Sequence, residues 1–331
     1  LQPAEANLPA RLQWKHVDPN PARSLMLATN GIGGMLRAPI SWGELTSRYD
    51  ALLAANLNPD HPEDRWIMFS RCRGWLVYQG YSQELNLHCL DTFFLAAHGQ
   101  GVWRFKVPTG QGEHVLLSIG MYMTGGVNAM GMVFHREPAG KHSGRLPDFE
   151  SVELILRPDI EDRNFHHTTK ASLGPESDWP GRVISIENGF TFSPGEWRHL
   201  RLRIDGGRYH PEPEWRYMVY RPLEAERGLD PHSDLFSPGY FSAFIGGGAA
   251  AHLTATISTP PDFIPAPPPE LLKAVSDPVA NAFAEHQLLG WVEGAMTDYV
   301  VKRGNLKSVI AGYPWFLDSG RDSLIATRGL T

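Results

Sequence analysis

The sequence predicts a mainly β fold, a sandwich of antiparallel sheets followed by a proline-rich linker and a helical segment. Short β-rich runs alternate with turn signals as far as residue 258, prolines then crowd residues 259–269, and an apolar stripe of helical period comes next. The chain has 331 residues, of which 42 % are hydrophobic and 20 % charged, the composition of an ordinary globular protein. That length is enough for about two domains.

The strand predictions depend on runs rich in β-branched and aromatic residues that end at glycine, asparagine or aspartate. Such runs cover residues 24–27, 65–69, 102–107, 114–119, 152–156, 183–186 and 197–204. In the last run, Leu200, Leu202 and Ile204 alternate with Arg201 and Arg203, which predicts one buried and one solvated face.

Helices are predicted only after the prolines. Asp277 followed by Pro278 is typical of a helix start, and apolar residues then recur with a 3.6-residue period as far as Tyr299. This pattern predicts a helix of about six turns. A second helix is expected to begin near Ser319.

These changes in composition and periodicity divide the chain into four parts. We expect an N-terminal extension at residues 1–22, a β-sandwich domain at 23–258, a linker at 259–269 and the incomplete beginning of a helical domain at 270–331.

Charge and cysteine content exclude several classes of function. The formal net charge is −6 and there is no basic stripe, so nucleic acid is not an expected partner. The longest nearly apolar run, residues 243–251, is far shorter than the ~20 residues that span a bilayer, so we expect no membrane segment. Two cysteines, Cys72 and Cys89, and the lack of any Asn-x-Ser/Thr acceptor favour a cytoplasmic protein.

The segment from residue 311 to residue 325 carries the most chemical information. It combines aromatic rings with an arginine between carboxylates at a predicted helix start, the ingredients of a sugar-binding subsite. A structural interpretation is also open, because Ser319-x-x-Asp322 is a helix capping box and Arg321 can pair with Asp318.

This segment resembles the signature that opens the catalytic barrel of the amylo-α-1,6-glucosidases, the bacterial and archaeal-type glycogen debranching enzymes. Three further blocks resemble the family in the same order. They are residues 29–34 with 47–53, residues 157–166, and residues 214–239. The resemblance runs from about Ser24 to the end of the chain.

The resemblance implies a β supersandwich packed on an (α/α)₆ toroid, and hydrolysis of the glucose at an α-1,6 branch point with inversion. It places both catalytic carboxylates beyond residue 331, so this part alone is expected to be inactive. The implied partner is a branched α-glucan or oligosaccharide, and no cofactor or metal is expected. The implied substrate-binding residues are Tyr313, Trp315, Asp318, Arg321 and Asp322, with Arg321 and Asp322 holding glucose hydroxyls and Trp315 lining the pocket.

Three positions depart from the family pattern and indicate a divergent branch. Ser319 stands where the family usually has tryptophan, Asp50 where it commonly has histidine, and Ala51 where it has glycine.

Other sites and functions are also considered. Gly31-Ile32-Gly33-Gly34 superficially resembles a dinucleotide-binding turn, but Leu36 and Pro39 favour a tight β turn. His166 and His167 beside an acidic cluster are a candidate metal site, although adjacent strand residues face opposite ways and such clusters are usually solvated.

Aromatic residues of the β region are either a glycan-stacking strip or core. They are Trp197, Tyr209, Trp215, Tyr217 and Tyr220. The alternative functions are a non-catalytic carbohydrate-binding or scaffolding module, and another (α/α)₆ enzyme of glucoamylase, trehalase or phosphorylase type.

Overall fold

The fold is described by a computed structural model that covers residues 13–15, 24–97, 99–141, 144–277 and 288–330. Its strands are β1 (Gln13–Lys15), β2 (Leu25–Thr29), β3 (Met35–Pro39), β4 (Ala51–Asn56), β5 (Arg65–Tyr78), β6 (Tyr81–Glu84), β7 (Leu90–Ala97), β8 (Gln100–Pro108), β9 (His114–Met123), β10 (Ala129–Arg136), β11 (Val152–Asn164), β12 (Val183–Ile186), β13 (Gly189–Gly195), β14 (Arg198–Asp205), β15 (Arg208–Tyr220), β16 (His232–Ile245), β17 (Ala250–Ile257), β18 (Val300–Arg303) and β19 (Leu306–Val309). The helices are α1 (Pro175–Asp178), α2 (Pro222–Glu226), α3 (Pro269–Ser276), α4 (Leu288–Thr297) and α5 (Gly320–Leu330).

Two large antiparallel sheets form the β domain, which confirms the predicted fold class. One sheet has the strand order β1-β7-β8-β9-β10-β17-β14-β13-β12. The other has the order β15-β16-β11-β5-β4-β3-β2, with β6 paired to β5. All seven predicted strands are present, and Leu200, Leu202 and Ile204 are buried as their alternation predicts.

The main core lies between these two sheets. Trp42 packs edge-on against Trp103, with 5.5 Å between ring centroids, and Phe105 and Phe134 surround the same ring. Gly31 and Gly33 have positive φ angles in the segment between β2 and β3, so these glycines form the loop of a β hairpin.

Helix α3 covers the outer face of the first sheet. Its apolar residues Leu271, Ala274 and Val275 are buried against that outer face, in a cluster with Phe94 and Tyr122. We predicted no helix at residues 269–276, although the spacing of these three apolar residues is that of a helix face.

The helix predicted from Pro278 is described only in part. Residues 278–287 lie outside the described residues, Asp277 is the C-cap of α3, and α4 ends at Thr297. Tyr299 therefore follows the helix and does not belong to it. A hairpin of β18 and β19 then leads to α5, which begins next to Ser319 as predicted.

Candidate functional site

A closed loop at residues 311–317 presents two aromatic rings to solvent. The Ala311 amide donates to the Leu317 carbonyl at 3.0 Å, and the Phe316 amide donates to the Gly312 carbonyl at 2.8 Å. Trp315 and Phe316 are 46 % and 59 % exposed, whereas Tyr313 is buried. We call residues 311–317 the Trp315 loop.

Arg65 of β5 holds the Trp315 loop on the β domain. Its side chain is fully buried, and its guanidinium donates to the carbonyls of Pro314 at 3.0 Å and Phe316 at 3.4 Å. The same guanidinium lies over the rings of Tyr313 and Phe165, 4.8 and 5.1 Å from their centroids. Burial lowers the pKa of Arg65 to about 10, so the group remains charged at neutral pH.

The polar residues after the loop have separate partners. Asp318 accepts a hydrogen bond from Arg303 at 2.7 Å. The Asp322 amide donates to the Ser319 hydroxyl at 3.4 Å, so the predicted cap of α5 is present. Arg321 is highly exposed and lies 3.4 Å from Asp322, and it does not form the considered pair with Asp318.

Asp322 is ionised and partly exposed. A hydrogen bond from Ser319, together with the charge of Arg321, lowers the pKa of Asp322 below its ordinary value. Its side chain is 30 % exposed, so capping leaves part of the residue accessible to a ligand.

Three segments of the β domain meet opposite the Trp315 loop. They are the segment before β4, the segment after β11, and α2. The Ser47 hydroxyl and the Arg48 amide donate to one carboxylate oxygen of buried Glu224, at 2.8 and 2.9 Å, and the Arg48 guanidinium donates to the other at 3.0 Å. Arg48 also donates to the carbonyl of His166 at 3.0 Å, which joins the three segments.

The three segments together form a wall opposite the Trp315 loop, and Tyr49 and His166 are its aromatic residues. The Tyr49 hydroxyl and His166 Nδ1 are 3.2 Å apart, and the His166 ring packs on Phe165 at 3.9 Å between centroids. Partial burial and the nearby charges of Arg48 and Arg65 lower the pKa of His166, so the imidazole is neutral at neutral pH.

A cleft of about 540 Å³ separates this wall from the Trp315 loop. Its lining residues are Arg37, Ser47, Tyr49, His166, Leu223, Glu226, Arg227, Trp315 and Phe316. Of the predicted site residues, only Trp315 lines the cleft, while Tyr313 lies in the core beneath the loop and Asp318, Arg321 and Asp322 lie at the start of α5.

The aromatic and polar residues opposite Trp315 were not predicted as substrate-binding residues, and His166 was considered only as a metal ligand. The signal was present in the sequence, because Tyr49, His166 and Arg227 belong to the blocks that carry the family resemblance.

The comparison with protein families decides what the chain is related to. A family model described as glycogen debranching enzyme N terminal matches residues 25–252, and one described as amylo-alpha-1,6-glucosidase matches residues 294–331. The chain belongs to the glycogen debranching enzyme N-terminal family. The predicted resemblance is thereby confirmed.

The solved structures that resemble this chain are only distantly similar to it. A bacterial glucoamylase in complex with acarbose has 7 % identity over 86 % of this chain and 39 % of its own, with a TM-score of 0.39. A structure titled putative kojibiose phosphorylase from human microbiome has 8 % identity and a TM-score of 0.39. The match covers 88 % of this chain and 38 % of that protein. The chain thus spans less than half the length of either structure. No curated protein matches it.

In this member of the debranching enzyme family, the acidic cluster near residue 160 is buried. Asp159 accepts hydrogen bonds from Arg71 and Arg73, and Glu161 accepts them from Ser70, Arg163 and Thr169. Both carboxylates are fully inaccessible to solvent. The expectation that this cluster is solvated is therefore wrong, because arginines of β5 and β11 neutralise it inside the domain.

Asp50, which replaces the family's usual histidine, has a structural role. It forms a buried ion pair with Arg37. It also accepts hydrogen bonds from the Thr46 hydroxyl at 2.9 Å and the Ser47 amide at 2.8 Å. These bonds fix the loop that carries Tyr49.

The candidate aromatic strip divides between core and surface. Tyr209 and Trp215 pack against the main core, whereas Trp197, Tyr217 and Tyr220 are 75 %, 53 % and 54 % exposed. The five rings therefore do not all face solvent.

Metal binding, membrane spanning and a second cleft were also considered. Within the described residues, no three metal-ligating side chains come together, and no helix has the length and apolar character to cross a membrane. A second cleft of about 890 Å³ lies between the β18–β19 hairpin and α5, but no described residue that lines it is aromatic or acidic.

Proposed function

We propose that this chain is the N-terminal part of a debranching-type glycoside hydrolase that releases glucose from α-1,6 branch points. The observation that carries the proposal is the order of the two family matches on one chain. The debranching enzyme N-terminal match covers the β domain, and the amylo-α-1,6-glucosidase match begins in α4.

The proposed mechanism is hydrolysis with inversion. One carboxylic acid protonates the leaving oxygen while a carboxylate ~6.5–9.5 Å away activates water on the opposite face of the sugar. We propose that both groups lie beyond Thr331, in an (α/α)₆ toroid on which the β domain packs.

The described residues would bind the sugar without transferring protons. Arg321 and Asp322 would hold glucose hydroxyls, since a guanidinium donates and an ionised carboxylate accepts in charge-assisted bonds. Trp315 would offer its face to the C–H groups of the ring. Tyr313 and Asp318 would fix the loop and the helix start, because Tyr313 stacks under Arg65 and Asp318 pairs with Arg303.

We also propose a cytoplasmic location. Cys72 and Cys89 are both free and buried, which is typical of proteins from a reducing compartment.

The test is release of glucose from an α-1,6-branched oligosaccharide by the 331-residue chain and by a longer protein from the same reading frame. We expect release only by the longer protein. Robust release by the 331 residues would refute the placement of the acid and base. If the longer protein requires phosphate and forms glucose 1-phosphate, the phosphorylase alternative holds.

A further inference from the structure

We propose that the cleft between the Trp315 loop and the β domain is an α-glucan subsite to which the β domain contributes Tyr49, His166 and Arg227. This inference deepens the proposed function and rests on it, because it takes the ligand class from that function. The β domain would then take a direct part in substrate recognition.

The cleft has the size and walls of a small-ligand site. Its volume of about 540 Å³ is within the range of ~300–1,000 Å³ typical of such sites. One wall is the Trp315 loop, and the other is formed by two loops and helix α2 of the β domain.

The aromatic groups are arranged to receive a pyranose ring. Trp315 and Phe316 expose about half of their surface, although Arg65 anchors the backbone that carries them. A large ring that is exposed but rigidly held loses little conformational freedom when it stacks on a ligand. This arrangement suits the apolar face of a sugar.

The polar groups opposite are fixed before any ligand binds. His166 Nδ1 faces the Tyr49 hydroxyl, and Nε2 makes no hydrogen bond to any described residue. The guanidinium of Arg227 lies over the Tyr49 ring at 5.8 Å, and its Nη1 is 3.5 Å from Glu224. A sugar hydroxyl can accept a hydrogen bond from the Arg227 guanidinium, and it can donate to or accept from Nε2 of His166 according to the imidazole tautomer.

The charges around the cleft balance, which favours a neutral ligand. Arg37 is paired with Asp50, Arg48 and Arg227 both pair with Glu224, and Glu226 adds a third carboxylate at the rim, so three cations stand beside three anions. A phosphate or other anion would require unneutralised cations at this place. A polyhydroxylated, uncharged molecule meets no such requirement.

The test measures maltotriose binding to the 331-residue chain by titration calorimetry. We expect Trp315→Ala to weaken binding about tenfold, the loss of one stacked aromatic contact. His166→Ala and Arg227→Ala are each expected to weaken it about fivefold, the value of one hydrogen bond.

Two matched controls lie outside the cleft. His167→Ala removes the adjacent exposed histidine, and Arg182→Ala removes an exposed arginine that pairs with Asp178. Both are expected to bind maltotriose as the parent chain does. Thermal unfolding of every variant checks that the fold persists, and Tyr49→Phe, which keeps the ring, is a second variant should His166→Ala fail to fold.

The outcomes separate this inference from the proposed function. Absence of maltotriose binding, or equal affinity of the cleft variants and their controls, would overturn the subsite. If the longer protein debranches glucan while Arg227→Ala leaves its KM unchanged, the subsite fails and the proposed function stands. If the cleft variants lose affinity but the longer protein releases no glucose, the subsite stands and the debranching activity fails.

Discussion

The guanidinium of Arg65 lies 4.8 Å above the ring of Tyr313, in a contact between residues almost 250 positions apart. Arg65 also donates to the Gly33 carbonyl at 3.1 Å, so one buried side chain joins the β2–β3 turn to the Trp315 loop. The segment with the family signature is thus built on the β domain, and the position of Trp315 depends on a strand.

Replacing Arg65 with methionine tests this relationship. Arg65→Met keeps much of the buried volume but leaves three carbonyls, those of Gly33, Pro314 and Phe316, without their donor. We expect the free energy of unfolding to fall by about 3 kcal/mol, roughly 1 kcal/mol for each lost bond. Urea denaturation measures the change. Arg216→Met, at a half-exposed arginine on β15, is the control and should change stability by less than ~0.5 kcal/mol.

Glu161 predicts how stability depends on pH. Burial alone would raise the pKa of Glu161, but the charges of Arg163 and Arg221 and hydrogen bonds from Arg163 and Ser70 lower it to about 2. A carboxyl group with a lowered folded-state pKa contributes stability above its unfolded pKa, and that contribution is lost as the pH falls from about 4.5 towards 2. We expect the parent chain to lose stability over this interval.

Glu161→Gln removes that component of the pH dependence. The substitution leaves Arg163 and Arg221 buried without their carboxylate, so we expect a loss of about 3–5 kcal/mol at neutral pH. Chemical denaturation between pH 2 and pH 7 measures both effects, with the exposed Glu212→Gln as control. An unchanged slope between pH 4.5 and 2 in Glu161→Gln would contradict the assignment.

Local patterns predicted the strands and the helix start at Ser319. The alternation of Leu200, Leu202 and Ile204 and the glycine turns are properties of neighbouring residues, and each needs no knowledge of the rest of the fold. The cap at Ser319 is local in the same sense.

The site was less predictable because its contacts are distant in sequence. In the sequence, Glu161 lies between Asp159 and Asp162 and looks like part of a surface acidic cluster. Only the fold brings Ser70 and Arg221 next to it. Likewise, Tyr313 looks like a sugar-stacking residue until Arg65 covers its ring. Tyr49, His166 and Arg227 all belong to the family blocks, but only the structure shows that they share one cleft.

The contact between α3 and the first sheet predicts a cost for Gly120→Ala. A Cβ at Gly120 would lie 2.5 Å from Val275 Cγ2 and 3.1 Å from Leu271. We expect overpacking to lower the free energy of unfolding by about 1–3 kcal/mol. Adding Val275→Ala removes the methyl groups in the way, so the double variant should lose less than the sum of the two single variants. Additive losses in urea denaturation would exclude a direct clash.

In the longer protein that we propose, Asp322→Asn distinguishes sugar binding from helix capping. The cap of α5 uses the Asp322 amide and the Ser319 hydroxyl, both of which the substitution retains, so the melting temperature should change little. Asparagine has no charge and accepts weaker hydrogen bonds, so kcat/KM for a branched oligosaccharide should fall about tenfold or more. Ser319→Ala is the converse variant, because it removes the cap and should cost about 1 kcal/mol of stability. Parent-like kinetics in Asp322→Asn would mean that the carboxylate does no more than start the helix.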